Sequence, residues 1–105
     1  MLDRSMTKSA LEGLTQGAAA ELGPKGVRVN SLAPGVVATN IFTAAGMPAS
    51  AAEGFVAKFA ASNPLRRIGN LDDMAKAASF FADGTRSGYV TGATLVADGG
   101  FYVSS

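Results

Sequence analysis

Residues 27–39 read VRVNSLAPGVVAT, and the reading of this stretch decides the fold. Its opening, Val27-Arg28-Val29-Asn30, is β-branched at alternate positions, with Gly26 before it and Pro34-Gly35 after it, which predicts a short strand over 27–30. Immediately upstream, Glu21-Leu22-Gly23-Pro24 is a helix stop, with Gly23 as a left-handed cap and a proline that cannot continue the helix. A helix, a turn and a strand make half of an α/β unit.

Working outward toward the N-terminus, Met6, Ala10, Leu11, Leu14, Ala18 and Leu22 recur at spacings of three and four, which predicts a helix from about Ser5 to Leu22 with this stripe buried. That start places Lys8 in the first turn, where the helix dipole disfavours a cation by about 0.3–1 kcal/mol. Helix stability therefore does not account for Lys8. One turn earlier on the same face stands a second cation, Arg4.

Toward the C-terminus, residues 40–63 are rich in alanine, with Gly46-Met47-Pro48 as a break and Phe42, Phe55, Val56 and Phe59 as apolar anchors. The segment reads as a mobile excursion with a helical second half. Asn70 is a good N-cap for a following helix that carries Asp72 and Asp73 in its first turn, Leu71, Met74, Ala75, Ala78, Phe81 and Ala82 on one face, and an end at Gly84. A second strand is predicted over Ala93–Ala97, and strand, helix, strand makes a parallel, right-handed crossover.

Composition narrows the chemistry. The 105 residues are 48% hydrophobic and 16% charged, enough for one packed domain and too few for two. Nine basic and eight acidic residues are scattered along the chain with no basic run, which argues against nucleic acid and membrane surfaces as partners. With no Cys and no His, thiolate and imidazole catalysis, disulfides and a nitrogen or sulfur zinc site are all excluded. No signal-peptide pattern opens the sequence and no apolar run approaches a bilayer span, so a cytosolic or organelle-matrix location, not a secreted one, is the expectation.

Three blocks in order, SMTKSALEGLTQGAAAELGPKGVRVNSLAPGVVAT, NPLRRIGNLDDMAKAASFFAD and YVTGATLVADGG, resemble the short-chain dehydrogenase/reductase family over nearly the whole chain. The resemblance implies the α/β class: the C-terminal portion of a doubly wound, Rossmann-type parallel sheet, left incomplete. Residues 1–105 would form a partial NAD(P)-binding domain, with the lysine helix, strand and nicotinamide-side loop in 1–39, a substrate lid in 40–63, and the last helix and strand in 64–105.

The same resemblance implies roles for individual residues. Lys8 matches the family lysine that holds the nicotinamide ribose and lowers the pKa of a tyrosine four residues before it. That tyrosine position is Arg4 here, and a guanidinium titrating above about 12 neither accepts nor usefully gives a proton at neutral pH. General acid/base catalysis is worth about 10²–10⁴-fold, so the replacement alone removes most activity. In the Pro34-Gly35 turn, the backbone of Val37 would hold the nicotinamide carboxamide, and the Thr39 hydroxyl would reach the cofactor amide or pyrophosphate. NAD and NADP both remain open as cofactor.

The family pattern also includes a glycine-rich phosphate loop, a ribose-selecting residue and a serine ahead of this segment, and no G-x-G-x-x-G occurs in the 105 residues. The likeness stops just before Ser5, as at a junction. The expectation is an oxidoreductase segment that is inactive alone, serving a small carbonyl or alcohol substrate only in a complete relative. The alternative is a non-catalytic interaction piece that forms homo- or hetero-oligomers through its first helix, since in the family the lysine helix packs against its counterpart in dimers.

Two competing patterns are weaker. Ser5-Met6-Thr7-Lys8 spells S-x-x-K, the serine hydrolase motif of penicillin-recognising enzymes, but the S-D-N and K-T-G partners are missing. Asp72-Asp73 as hard metal ligands competes with the simpler role of two acids in a helix first turn.

Overall fold

A computed structural model of the chain describes residues 2–38 and 41–104; within its helices, the side chains of residues 2–5, 41, 42 and 104 lie outside the description. In chain order come α1 (Leu2–Leu22), a 3-10 turn (Gly23–Lys25), β1 (Ser31–Pro34), α2 (Ile41–Ala44), α3 (Ala49–Ser62), α4 (Leu71–Ala82), α5 (Gly84–Ser87), β2 (Thr94–Ala97) and α6 (Phe101–Ser104). The two strands pair with each other, and the constant offset from Ser31 N–H→Ala93 O to Gly35 N–H→Ala97 O makes them parallel. The fold is α/β, as the sequence predicts.

The chain divides into two units, residues 1–33 with 77–95 and residues 34–76 with 96–105. In the first, α1 contributes its buried face through Thr15 and Ala19, which are 5% and 6% exposed. The helix approaches backbone there: a Cβ built on Gly92 would stand 3.5 Å from the Ala19 Cβ. Thr15 loses nothing by burial because its hydroxyl donates to the Leu11 carbonyl one turn back (2.8 Å).

This geometry corrects the predicted stripe. Met6 and Leu14 are 63% and 71% exposed, Ala10 and Leu11 are exposed, and only Ala18 and Leu22 of the six are partly covered. The covered face instead runs Lys8, Thr15, Ala18, Ala19, Leu22. Its position is dictated by the small Ala19 side chain fitting against the Gly92 main chain, a preference that apolar periodicity does not register.

The helix also begins at Leu2 rather than near Ser5, because nothing before Ser5 breaks it, so Lys8 stands beyond the first turn and the dipole penalty does not apply. At the other end Gly23 opens the 3-10 turn with Pro24 in its first turn, and the left-handed residue is Gly26, at φ +79°.

The predicted strand over Val27–Asn30 is displaced to Ser31–Pro34. The reason is the partner: opposite residues 28–30 lies the turn before β2, whose groups are met by side chains. Val29 N–H donates to Thr91 Oγ1 (3.0 Å), Asn30 Nδ2 to Val90 O (3.0 Å), and Ala93 N–H to Asn30 Oδ1 (3.0 Å). Only Gly92 N–H→Val29 O (2.7 Å) is a backbone pair, so a regular ladder starts at Ser31. β2 accordingly begins at Thr94, one residue later than expected. The helix expected to reach Gly84 stops at Ala82, where Asp83 caps the short α5 by accepting from Thr85 N–H.

In the second unit, α3 fills the second half of segment 40–63, and its Phe59 ring lies 4.9 Å from Phe55 and 5.7 Å from Phe101 of α6 between centroids. The start of α4 is closed by a reciprocal cap: Asp73 N–H donates to Asn70 Oδ1 (2.8 Å), and Asn70 N–H to Asp73 Oδ2 (2.9 Å).

Candidate functional site

The chain leaves β1 through Pro34 and Gly35. A Cβ on Gly35 would fall 2.6 Å from the Asp98 Cβ and 2.9 Å from its Cα, so only glycine lets the backbone pass this close to the end of β2. Gly35 N–H still pairs with Ala97 O (3.2 Å). Two residues later Val37 forms a parallel bridge with Gly69, closed by Gly69 N–H→Val36 O (2.9 Å) and Ala38 N–H→Gly69 O (2.7 Å).

That pairing has a stereochemical consequence. In a parallel bridge the two bonds come from the neighbours of the bridging residue, and its own N–H and C=O turn to the opposite edge. Among the described residues, neither the amide nor the carbonyl of Val37 has a partner. A donor and an acceptor thus stand side by side at a strand end, the complement of a planar carboxamide. Thr39 lies outside the described residues.

The returning loop is held by charge. Arg67 grips Asp73 with both ends of its guanidinium, Nη1 to Oδ2 at 2.7 Å and Nη2 to Oδ1 at 3.2 Å. This pair, with the Asn70 amide, pushes the Asp73 carboxyl down to about 2. The neighbouring Asp72 pairs with Lys76 (2.8 Å), so the two acids are committed to the helix start, the simpler of the two roles considered. A cavity of about 250 Å³ beside this loop is walled by Leu65, Ile68, Gly69, Met74 and Ala97. Its polar groups are internally paired, Arg67 with Asp73, and Asp98 with the N–H groups of Gly100 and Tyr102.

Lys8 belongs to the first unit, where it is half-buried on the same α1 face as Thr15, Ala19 and Leu22. Arg4 lies one turn before it in the helix, with its side chain outside the description. Pro34, Gly35 and Val37 belong to the second unit, which brings these three together with Gly69 and Asp98.

Sequence reading missed a heavily bonded side chain in the first unit, Arg28. Arg28 donates from Nη1 to Ser87 O (3.0 Å), Ser87 Oγ (3.1 Å) and Val90 O (3.3 Å), and from Nη2 to Phe81 O (2.8 Å). A cation inside a predicted strand, followed at alternate spacing by Asn30, is the signal that was available.

Against known proteins, the family model described as enoyl-(acyl carrier protein) reductase matches residues 4–102. Glucose and ribitol dehydrogenase homolog 2 of Arabidopsis thaliana is 35% identical over 105 residues, all of this chain and 35% of that protein, so the likeness does not stop just before Ser5, contrary to the expectation from the sequence. Among solved structures, a short-chain dehydrogenase/reductase of unknown function from Caenorhabditis elegans, crystallised with cofactor, superposes with a TM-score of 0.83 at 36% identity, covering 93% of this chain and 37% of that one. A small-chain dehydrogenase in complex with NADPH superposes with a TM-score of 0.72 at 30% identity, covering 88% and 39%. The chain spans about a third of the length of the relatives it matches. From the matched family, the parallel α/β architecture and the shared motif order, the chain belongs to the short-chain dehydrogenase/reductase family of NAD(P)-dependent, Rossmann-fold oxidoreductases.

Proposed function

We propose that these residues supply the nicotinamide side of an NAD(P)-dependent oxidoreductase acting on an alcohol or carbonyl group. The observation that carries this reading is the unclaimed amide and carbonyl of Val37, a donor and acceptor pair that fits a nicotinamide carboxamide. Bound there, the dinucleotide would supply or take up a hydride. Val37 would hold the carboxamide through its main chain, Pro34 and Gly35 would set that main chain in place, Thr39 would add a hydroxyl, and Lys8 would hold the ribose hydroxyls.

The 105 residues by themselves are proposed to be inactive. Arg4 occupies the position from which a tyrosine would exchange a proton with the substrate oxygen, and no G-x-G-x-x-G phosphate loop is present in the sequence. A cytosolic or organelle-matrix location goes with this reading.

The test compares two proteins: the chain alone, and residues 5–105 grafted behind the N-terminal part of a working relative that carries the tyrosine. The chain alone should show neither carbonyl-dependent loss of nicotinamide absorbance nor calorimetric binding of NAD(P)H in the low micromolar range. The graft should do both, and in it Lys8→Met should lower turnover far more than Lys25→Met. Turnover by the chain alone would overturn the inactive reading, and equal effects of the two lysines would overturn the role of Lys8.

A second reading, self-association through α1, is favoured by one observation. Met6, Ala10, Gly13, Leu14 and Gly17 form an exposed apolar row, and a Cβ at either glycine would meet nothing within 4 Å. Such a row suits close helix contact with a second copy. Leu14→Glu should then convert a dimer to a monomer in sedimentation; a parent chain that already sediments as a monomer would remove this reading.

A further inference from the structure

Helix α3 ends in a turn that is costly in two ways. Asn63, its C-terminal cap, is 7% exposed, and among the described residues its buried Oδ1 has no hydrogen-bond partner. Three residues on, Arg66 closes the turn through its N–H to Asn63 O (2.8 Å) at φ +58°, a left-handed conformation that long side chains rarely adopt. Such features persist only where the surroundings over-determine them.

The surroundings here are the turn that follows β2. Gly99, at φ +66°, passes so close that a Cβ on it would fall 2.5 Å from Asn63 Nδ2, and a Cβ on Gly100 would fall 2.8 Å from Pro64 Cβ. Leu65 N–H donates to Gly99 O (3.0 Å), and Asn63 Nδ2 donates to Arg67 O (2.8 Å). Next in the chain, the Phe101 ring lies 5.7 Å from Phe59, in the last turn of α3. Residues 98–101 are themselves fixed, because the Asp98 carboxylate accepts from Gly100 N–H and Tyr102 N–H, both at 2.9 Å. Main-chain, amide and aromatic contacts thus converge on one end of α3 from a single short segment.

The sequence predicts that residues 40–63 form a mobile excursion, and this convergence does not suit its second half. We propose that the turn after β2 is the seat of α3, with Asn63 and Phe101 as positioning residues that make the helix a fixed wall on the side of the carbonyl or alcohol substrate. This rests on the oxidoreductase reading given above, with residues 40–63 covering the substrate; the seating of α3 stands apart from it.

Two measurements decide it. On the 105-residue chain, hydrogen exchange by mass spectrometry compares the parent with Phe101→Ala, Asn63→Ala and, as a control, Val103→Ala, an α6 residue that is 84% exposed. The readout is the exchange rate of an α3 peptide, 55–62, relative to an α1 peptide, 7–20. This ratio should rise about ten-fold in the first two variants and stay at the parent value in the control. A rise in either of the two supports seating through that residue. An unchanged ratio in both, as general unfolding would also give, or an equal rise in the control, would overturn the proposal.

In the graft behind the N-terminal part of a relative, Phe101→Ala should raise KM for the carbonyl substrate about ten-fold, with kcat and the dinucleotide KM within about two-fold. Phe101→Leu, which keeps an apolar side chain in the seat, should bring the carbonyl KM back to within about three-fold of the parent. Loss of folded enzyme lowers kcat and leaves both KM values unchanged, and that result would overturn the substrate-side role. A parent graft without turnover would instead overturn the oxidoreductase reading, leaving the exchange ratio to decide the seating of α3.

Discussion

The two segments flanking β1 are held by opposite means. Before the strand, residues 28–30 are fastened by side chains: the Arg28 guanidinium, the Asn30 amide and the Thr91 hydroxyl reach for main-chain groups. After it, the hydrogen bonds of Val36–Ala38 among the described residues are main-chain ones, through the bridge to Gly69. The side-chain fastening depends on residue identity and uses up the groups it touches. The main-chain fastening tolerates many side chains and leaves the Val37 peptide groups open to a ligand. A binding loop gains from the second arrangement, and a structural anchor from the first.

The harshest way to break the contrast is at Gly35, where the main-chain side has its one strict demand. Gly35→Ala places a methyl 2.9 Å from the Asp98 Cα, a backbone atom that cannot swing aside. The expected loss is about 3 kcal/mol in urea unfolding, at the upper end of overpacking costs. By comparison Val37→Ala should cost less than about 1 kcal/mol, since its pairing uses no side-chain atom.

On the side-chain-fastened segment, Asn30→Leu strips Ala93 N–H of its acceptor and leaves Val90 O to Arg28 alone. The expected loss is about 1–3 kcal/mol, the cost of an unpaired buried donor. A neutral result would mean that water replaces the amide and that the contrast between the segments is false.

The smallest effect is electrostatic and concerns the loop that supplies Gly69. The Asp73 carboxyl is held at about 2 by Arg67 and the Asn70 amide. A depressed carboxyl pKa stabilises the folded state above the unfolded value of about 3.9, and that contribution is lost as pH falls through about 2. The pair is exposed, so the change is modest and screened by salt. Carboxyl-carbon NMR titration should place the Asp73 midpoint well below the other aspartates, and Arg67→Gln should move it up. An Asp73 midpoint near 4 in the parent chain would remove this account.

The α/β class, the helix before β1, the Asn70 cap and the glycine at position 35 were legible because each is a local signal: periodicity, capping chemistry, turn residues. What was not legible depends on who the partner is. Thr15 and Ala19, rather than the larger Leu14, are covered because a small side chain meets Gly92 from the far end of the chain. The strand starts at Ser31 because its opposite residues before Ala93 are engaged by Asn30 and Thr91 side chains. The resemblance names both Lys8 and the Val37 backbone, whereas the open edge of the Val37 peptide groups shows only with the bridge to Gly69.

The spacing of the anchor contacts bears on how the chain reaches this state. Val29 meets Thr91 across 62 residues, and the Arg28 bonds span 53 to 62. Closing a loop that long is entropically opposed until enough contacts form together, while α1 and α3 draw on neighbours three and four residues away. Sheet pairing is therefore expected to follow helix formation in folding. Since Val37 turns its amide and carbonyl to the open edge only once the bridge to Gly69 is in place, that edge is expected to form after the helices.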